Sequence, residues 1–351
     1  MFRVYTDLFY KDIGQRRKFE ESYISLIKET AEKIHVKSRK NAKLVQLYSL
    51  INSKIKRIYE NFESSVSDFP ENFEKLLTLA PREIASIYLT YKKNENFRKT
   101  VDKELRMVYG VKNGKHFVLD FSKFSRNIAQ FFTLPDNEKI ININTCFYCN
   151  KTYINSYEIG NSKKNQFDID HFIPKSRCSL FSLSLYNFVP SCQVCNSRIK
   201  QAGEYYKECN EEQLEMLFPS SENYKYIDYL RFRIIPKNIL YQQAAKSFSF
   251  SEMKDSFAIE FEELDDKKST LFKKEATAFD IIKRYEYHKK EFLVYIDKLR
   301  KYPDSYFLCY ANMHGINEAN NLNEGIFNKC FRNQERQIFQ KIYNDIDYQI
   351  D

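Results

Sequence analysis

The sequence predicts a mainly helical protein with a small α+β insert near its middle. Three observations carry that reading. The 351 residues include only 7 glycines and 8 prolines, too few for the turns of a many-stranded fold. Apolar residues make up 43% of the chain, with 26 Tyr and 30 Phe, so the material for a buried core is present and the composition is far from that of disorder. Apolar positions recur at three- and four-residue spacing in both outer parts, whereas the central Asp168–Pro174 stretch alternates polar and apolar in its first part. The length suits about two ordinary domains. By texture the chain divides into a helical region over residues 1–138, a central unit over 139–210 and a mainly helical region over 211–351.

From Gln15 to about Glu63 the pattern is helical, with Leu44, Leu47, Ile51, Ile55 and Ile58 on one stripe. The segment Val36 to Ile58 carries Lys37, Arg39, Lys40, Lys43, Lys54, Lys56 and Arg57 and no acidic residue. It therefore predicts a basic outer side, which is either a solvated face or a grip for nucleic acid. After Val66 the run S-D-F-P-E-N-F reads as a loop, with Asp68 or a neighbour capping a helix that bears Phe73 and Leu76. Pro81 suits the first turn of the next helix, through Ile84, Ile87 and Tyr88. Lys112-Asn113-Gly114 predicts a short hairpin, with His116 in it as a structural residue. Beyond the central unit, Glu211–Phe218 and Tyr224–Ile235 read as helices, the second stopped by Pro236. Phe248–Phe250 and Phe257–Phe261 read as a strand pair. One long helix is predicted over 277–302, and an apolar period at Ile338, Phe339, Ile342 and Ile346 follows in the tail.

A net charge of +9 gives a modest bias towards polyanions. No signal-type apolar segment opens the chain and no run approaches the roughly 20 apolar residues of a membrane span, which predicts a cytoplasmic protein without a membrane partner. In that reducing compartment eight cysteines do not read as a disulfide framework. There is no internal repeat and no G-x-x-x-x-G-K-[ST] phosphate loop, so any nucleotide-driven motor would be a separate chain.

Two stretches carry chemistry. Cys146-Phe-Tyr-Cys149 and Cys192-Gln-Val-Cys195 are C-x-x-C knuckles. Two such pairs fill the four tetrahedral positions of a structural Zn²⁺, leaving none for a reacting water. The alternative for these residues is buried thiols or a redox pair, and Cys178 is a substitute ligand; Cys209, Cys309 and Cys330 read as core residues. In the second stretch, Asp168-Ile-Asp170-His171-Phe-Ile-Pro174 reads as a short strand entering a turn. Asn187-Phe-Val-Pro190 reads as the returning strand, and Cys195-Asn196-Ser197-Arg198-Ile199-Lys200 opens a helix. Asp170, His171 and Asn196 should converge. A carboxylate and an amide oxygen suit Mg²⁺ or Mn²⁺, and a histidine suits proton abstraction from water, together the parts of a phosphodiester hydrolase. A general base supplies roughly 3 to 5 kcal/mol of the ~8 to 23 kcal/mol that enzymes provide, so His171 would need the metal to neutralise transition-state charge.

The combination C-x-x-C, D-x-D-H-F-I-P-K-S and N-F-V-P-S-C-x-x-C-N-x-x-x-K resembles the HNH, or ββα-metal, endonucleases of the zinc-bearing branch. The resemblance implies that His171 is the general base, that Asp170 and Asn196 hold the catalytic metal, and that Asn187 bonds across the loop to fix the base-bearing strand. It further implies that Lys175, Arg198 and Lys200 meet phosphate, and that Asp168 is an auxiliary ligand or a support. Many members have His where Asn196 stands, which makes this an H-N-N variant. The V-P-S-C-x-x-C-N stretch also resembles HNH nucleases of phage-defence systems, such as the Septu nuclease subunit that works beside an ATPase and its retron-associated relatives. DNA is the expected substrate ahead of RNA. The competing readings are a zinc-stapled nucleic-acid-binding module without catalysis and a redox-sensing zinc protein.

Overall fold

A computed structural model describes residues 3–37, 44–105, 111–112, 115–116, 122–141, 143–159, 162–200, 203–237, 249, 251, 253–302, 304–314 and 338–350. Helix dominates, and strands occur among the described residues as five antiparallel pairs. These are β1 (His35–Lys37) with β2 (Leu44–Gln46), β3 (Val111–Lys112) with β4 (Lys115–His116), β5 (Ser156–Ile159) with β6 (Ser162–Asn165), β7 (Asp168–His171) with β8 (Phe188–Ser191), and β9 (Leu230–Pro236) with β10 (Phe257–Glu263). No helix among the described residues is long and apolar enough to cross a membrane. The chain forms two compact units, each built from separated stretches.

The first unit comprises residues 2–143 and 154–225. Asp12 caps the helix Ile13–Glu32 by accepting from the Gln15 amide, and Phe19, Tyr23, Ile27 and Ala31 recur every fourth residue as its buried face. The helix Leu47–Phe62 buries Leu47, Ile51, Ile55 and Ile58 as expected. Leu44 does not join that stripe: it lies in β2 and is 64% exposed, because the β1–β2 hairpin separates the two helices. The predicted basic side is partly neutralised, since Lys54 and Arg57 lie 2.7 and 3.5 Å from Glu104. Arg39, Lys40 and Lys43 lie outside the described residues. Asn72 caps the helix Phe73–Leu77 and Pro81 opens the helix Pro81–Lys93.

In the second unit, residues 144–153 and 226–351, two expectations are corrected. Only Tyr226–Tyr229 of the predicted 224–235 helix is helical; β9 follows and pairs along its length with β10. Residues 248 and 250, half of the expected strand pair, lie outside the described residues. Leu230, Phe232 and Ile234 are buried in alternation with Arg231 and Arg233, whose guanidinium groups reach Glu262 across the ladder. The ribbon's outer amides are covered by helix side chains: Phe232 N–H donates to Asp345, Ile234 N–H to Gln349 and Ile259 N–H to Glu286. The long 277–302 helix is instead three helices, Asp266–Ala278, Ile281–Glu286 and Lys289–Lys301. Asp280, at φ 49° in the left-handed region, breaks the first from the second, and His288 precedes the third. Phe339, Ile342 and Ile346 are buried at the final helix Gln340–Ile350, as their period predicts.

Candidate active site

β7 and β8 lie antiparallel with Asp168 opposite Ser191, Asp170 opposite Val189 and His171 opposite Phe188. A short π-helix, Val194–Lys200, follows β8 after a two-residue connection. Single-turn π-helices of this kind recur at functional sites. Asp168 and Asp170 share one strand face because side chains alternate, and two rungs span about 6.7 Å. That matches roughly one turn of helix, and the pairing follows: Asn196 Nδ2 donates to Asp168 at 3.0 Å, and Lys200 Nζ to Asp170 Oδ2 at 2.7 Å.

The chain between the strands, residues 172–187, is mostly buried and its polar groups are accounted for one by one. Asn187 is fully buried; its Oδ1 accepts from Ile173 N–H at 2.8 Å, while its Nδ2 donates to the Ile173 and Phe181 carbonyls at 3.1 and 3.0 Å. The Leu183 carbonyl accepts from Tyr23 at 2.6 Å, and Ser184 donates to the Leu76 carbonyl at 2.8 Å. Phe172 packs against Tyr206 and Phe218, with ring centroids at 4.9 and 4.2 Å. Helices of the first unit thereby hold the loop against β7.

His171 is buried, and its Nε2 lies 2.9 Å from the Ser182 carbonyl. A carbonyl only accepts, so Nε2 carries the proton in the neutral ring and Nδ1 carries the lone pair. Burial pushes the His171 pKa from 6.5 to about 3; the Lys175 and Lys200 charges add to the fall, and the Ser182 bond opposes it. The imidazole is therefore neutral at physiological pH.

Asp168, Asp170 and Asn196 offer carboxylate and amide oxygens, the donor class of hard divalent cations. The Asp168 carboxylate can only accept, so the Asn196 amide nitrogen faces it and the amide oxygen is turned elsewhere. Two observations test the fit. A cation already stands there, since the Lys200 ammonium sits on Asp170. The Ser191 hydroxyl, across the ladder from Asp168, is buried and has no hydrogen-bond partner among the described residues. The donor set is of the class such an ion takes, and Lys200 holds one of its carboxylates.

Of the expected phosphate contacts, Lys175 and Arg198 are exposed. Lys200 is not: its side chain is 1% exposed, and its ammonium also donates to the His171 carbonyl at 2.5 Å. The π-helix turns this residue inward onto the strand.

The Cys146, Cys149, Cys192 and Cys195 sulfurs all lie within 4.8 Å of one another, and all four residues are buried. A zinc–sulfur distance of about 2.3 Å gives tetrahedral edges of about 3.8 Å, so four cysteines so placed could bind a metal such as zinc. Asn150 shapes the first knuckle. At φ 47°, a left-handed conformation that Asn tolerates, it donates its amide N–H to the Cys146 carbonyl and its side chain to Thr145. At the second knuckle, Asn196 N–H donates to the Cys192 carbonyl at 3.0 Å. Cys178 is buried but is not one of the four, and Cys309, expected in the core, is exposed. Cys330 lies outside the described residues.

Comparison with known proteins finds no relative. No family model matches the chain, nor does any curated protein or solved structure. The functional reading rests on the residues themselves. The sequence did not single out Ser182, Leu183 or Tyr23, because two of them act through backbone carbonyls and the third reads as a helix core position. Ser191 lies inside the V-P-S-C motif, and its register opposite Asp168 was its available signal.

Proposed function

We propose that the chain is a metal-dependent phosphodiester hydrolase of the HNH type acting on nucleic acid, DNA ahead of RNA. The observation that carries this reading is the placement of Asp168, Asp170 and His171 on one strand of an antiparallel pair, with Asn196 on the helix that follows. His171 is held in one tautomer by Ser182, which makes Nδ1 the basic nitrogen of the neutral ring, the one that would take a proton from water. The depressed pKa keeps that nitrogen unprotonated, and an anionic phosphate nearby would raise its basicity. Asn187 fixes the loop after the base, and the exposed Lys175 and Arg198 supply cations for the phosphate. A divalent cation on Asp168, Asp170 and Asn196 would supply neutralisation of charge at the scissile phosphate. The four-cysteine site is structural, with zinc as its ion. The sequence resemblance supports a role in phage defence beside a separate ATPase in the cytoplasm.

One observation favours a second reading. Asp170 is engaged by a buried lysine, as a purely structural ion pair would be, which suits a zinc-stapled nucleic-acid-binding module without catalysis. Incubation of the zinc-loaded chain with plasmid DNA and with RNA, with Mg²⁺, with Mn²⁺ and with neither, separates the two. The hydrolase reading expects metal-dependent cleavage that falls by roughly 10²- to 10⁴-fold in His171→Ala. Binding without cleavage by the wild type, or equal cleavage by the variant, would refute it.

A further inference from the structure

We infer that Lys200 is a built-in competitor for the divalent-cation position: its ammonium neutralises Asp170 when no metal is bound and must give up that oxygen when one is. The inference rests on the proposed hydrolase reading only in taking Asp170 as a metal ligand.

A lysine is almost never fully buried unless its charge is paired. Here the burial is explained by two acceptors, Asp170 Oδ2 at 2.7 Å and the His171 carbonyl at 2.5 Å, on the very strand that carries the candidate ligands. Lys200 and Asn196 stand about a turn apart on one short helix, so the amide ligand and the competing cation approach β7 together. The pairing of Asn196 with Asp168 in the same state leaves both carboxylates engaged within the fold. A divalent ion and an ammonium on one buried carboxylate would repel strongly, because water screens neither charge there. The metal-free site is therefore charge-balanced and foldable, and its metal affinity is set below what two carboxylates and an amide would otherwise give. The competitor also explains why a residue that reads as a phosphate contact in the sequence is buried in this state.

The test uses the full zinc-loaded chain and Mn²⁺ as probe. Wild type, Lys200→Met and the double variant Lys200→Met/Asp170→Asn are titrated with Mn²⁺ by the electron paramagnetic resonance of the unbound ion, and each is melted with and without Mn²⁺. Lys200→Met should bind Mn²⁺ on the order of tenfold more tightly than the wild type or better. Its Tm should fall without Mn²⁺ and recover with it by more than the wild type's does. The double variant, with neither charge, should fold without Mn²⁺ and gain nothing from it. Equal or weaker Mn²⁺ binding by Lys200→Met overturns the inference, as does an absence of Mn²⁺ binding by wild type and variant alike. It is equally overturned if Lys200→Met stays unfolded with Mn²⁺ while the double variant folds, because the ion then cannot take the ammonium's place. Cleavage is scored separately. Tighter Mn²⁺ binding with no cleavage by the wild type ends the hydrolase reading and leaves the competitor; Mn²⁺-dependent cleavage with unchanged affinity does the reverse.

Discussion

Cys195 and Asn196 are neighbours in the chain, yet they belong to clusters that solve the problem of gathered ligands in different ways. The cysteine cluster brings four residues of one kind within 4.8 Å, all buried, and four thiolates so close repel unless an ion lies among them. The strand–helix cluster mixes charges and is balanced from inside: Lys200 answers Asp170, the Asn196 amide answers Asp168, and the Ser182 carbonyl answers His171. The first arrangement could hold a metal ion among its sulfurs; the second is charge-balanced by the fold's own groups.

The largest effect expected from this contrast follows zinc removal. Stripping the chain with a strong chelator, or making Cys195→Ser, should abolish the cooperative melt, since structural zinc is worth on the order of 10 kcal/mol. Withdrawal of Mg²⁺ should lower the melt by far less. Circular dichroism beside metal analysis checks both, and a folded, zinc-free chain would break the comparison. Next comes Asn187→Ala, which strips partners from one buried N–H and two buried carbonyls. A loss of roughly 3 kcal/mol or more in urea unfolding is expected; less than 1 kcal/mol would mean that the loop is not held as described. The smallest effect is on pH. His171 has a folded pKa of about 3 against an ordinary 6.5, so below 6.5 the unfolded chain takes up a proton that the folded chain refuses. Its contribution to stability is complete above about pH 6.5 and declines as the pH falls towards 3. Between pH 7 and pH 5 the wild type should lose about 2 kcal/mol more than His171→Gln. Equal losses would show that the imidazole is not buried in its neutral form.

Much of the helical scaffold was legible. Leu47, Ile51, Ile55 and Ile58, or Phe339, Ile342 and Ile346, announce buried faces by period alone, because a helix repeats its geometry locally. The segment Leu230–Pro236 misled because its alternation competes with a helical reading until β10, distant in sequence, supplies the ladder. The left-handed Asp280 that splits the predicted long helix carries no compositional signal comparable to Pro or Gly.

The candidate site divides along the same line. Residue types and spacing by themselves determined that Cys146, Cys149, Cys192 and Cys195 would gather and that Asp168, Asp170, His171 and Asn196 would lie on a strand and a following helix, since these depend on local geometry and ligand chemistry. Only the tertiary structure decided which nitrogen of His171 keeps its proton and that Lys200 faces Asp170 and not the solvent. Those outcomes depend on which carbonyl or carboxylate lies within 3 Å of a buried polar atom, and that is set by packing between segments whose spacing in the sequence says nothing of their distance in space.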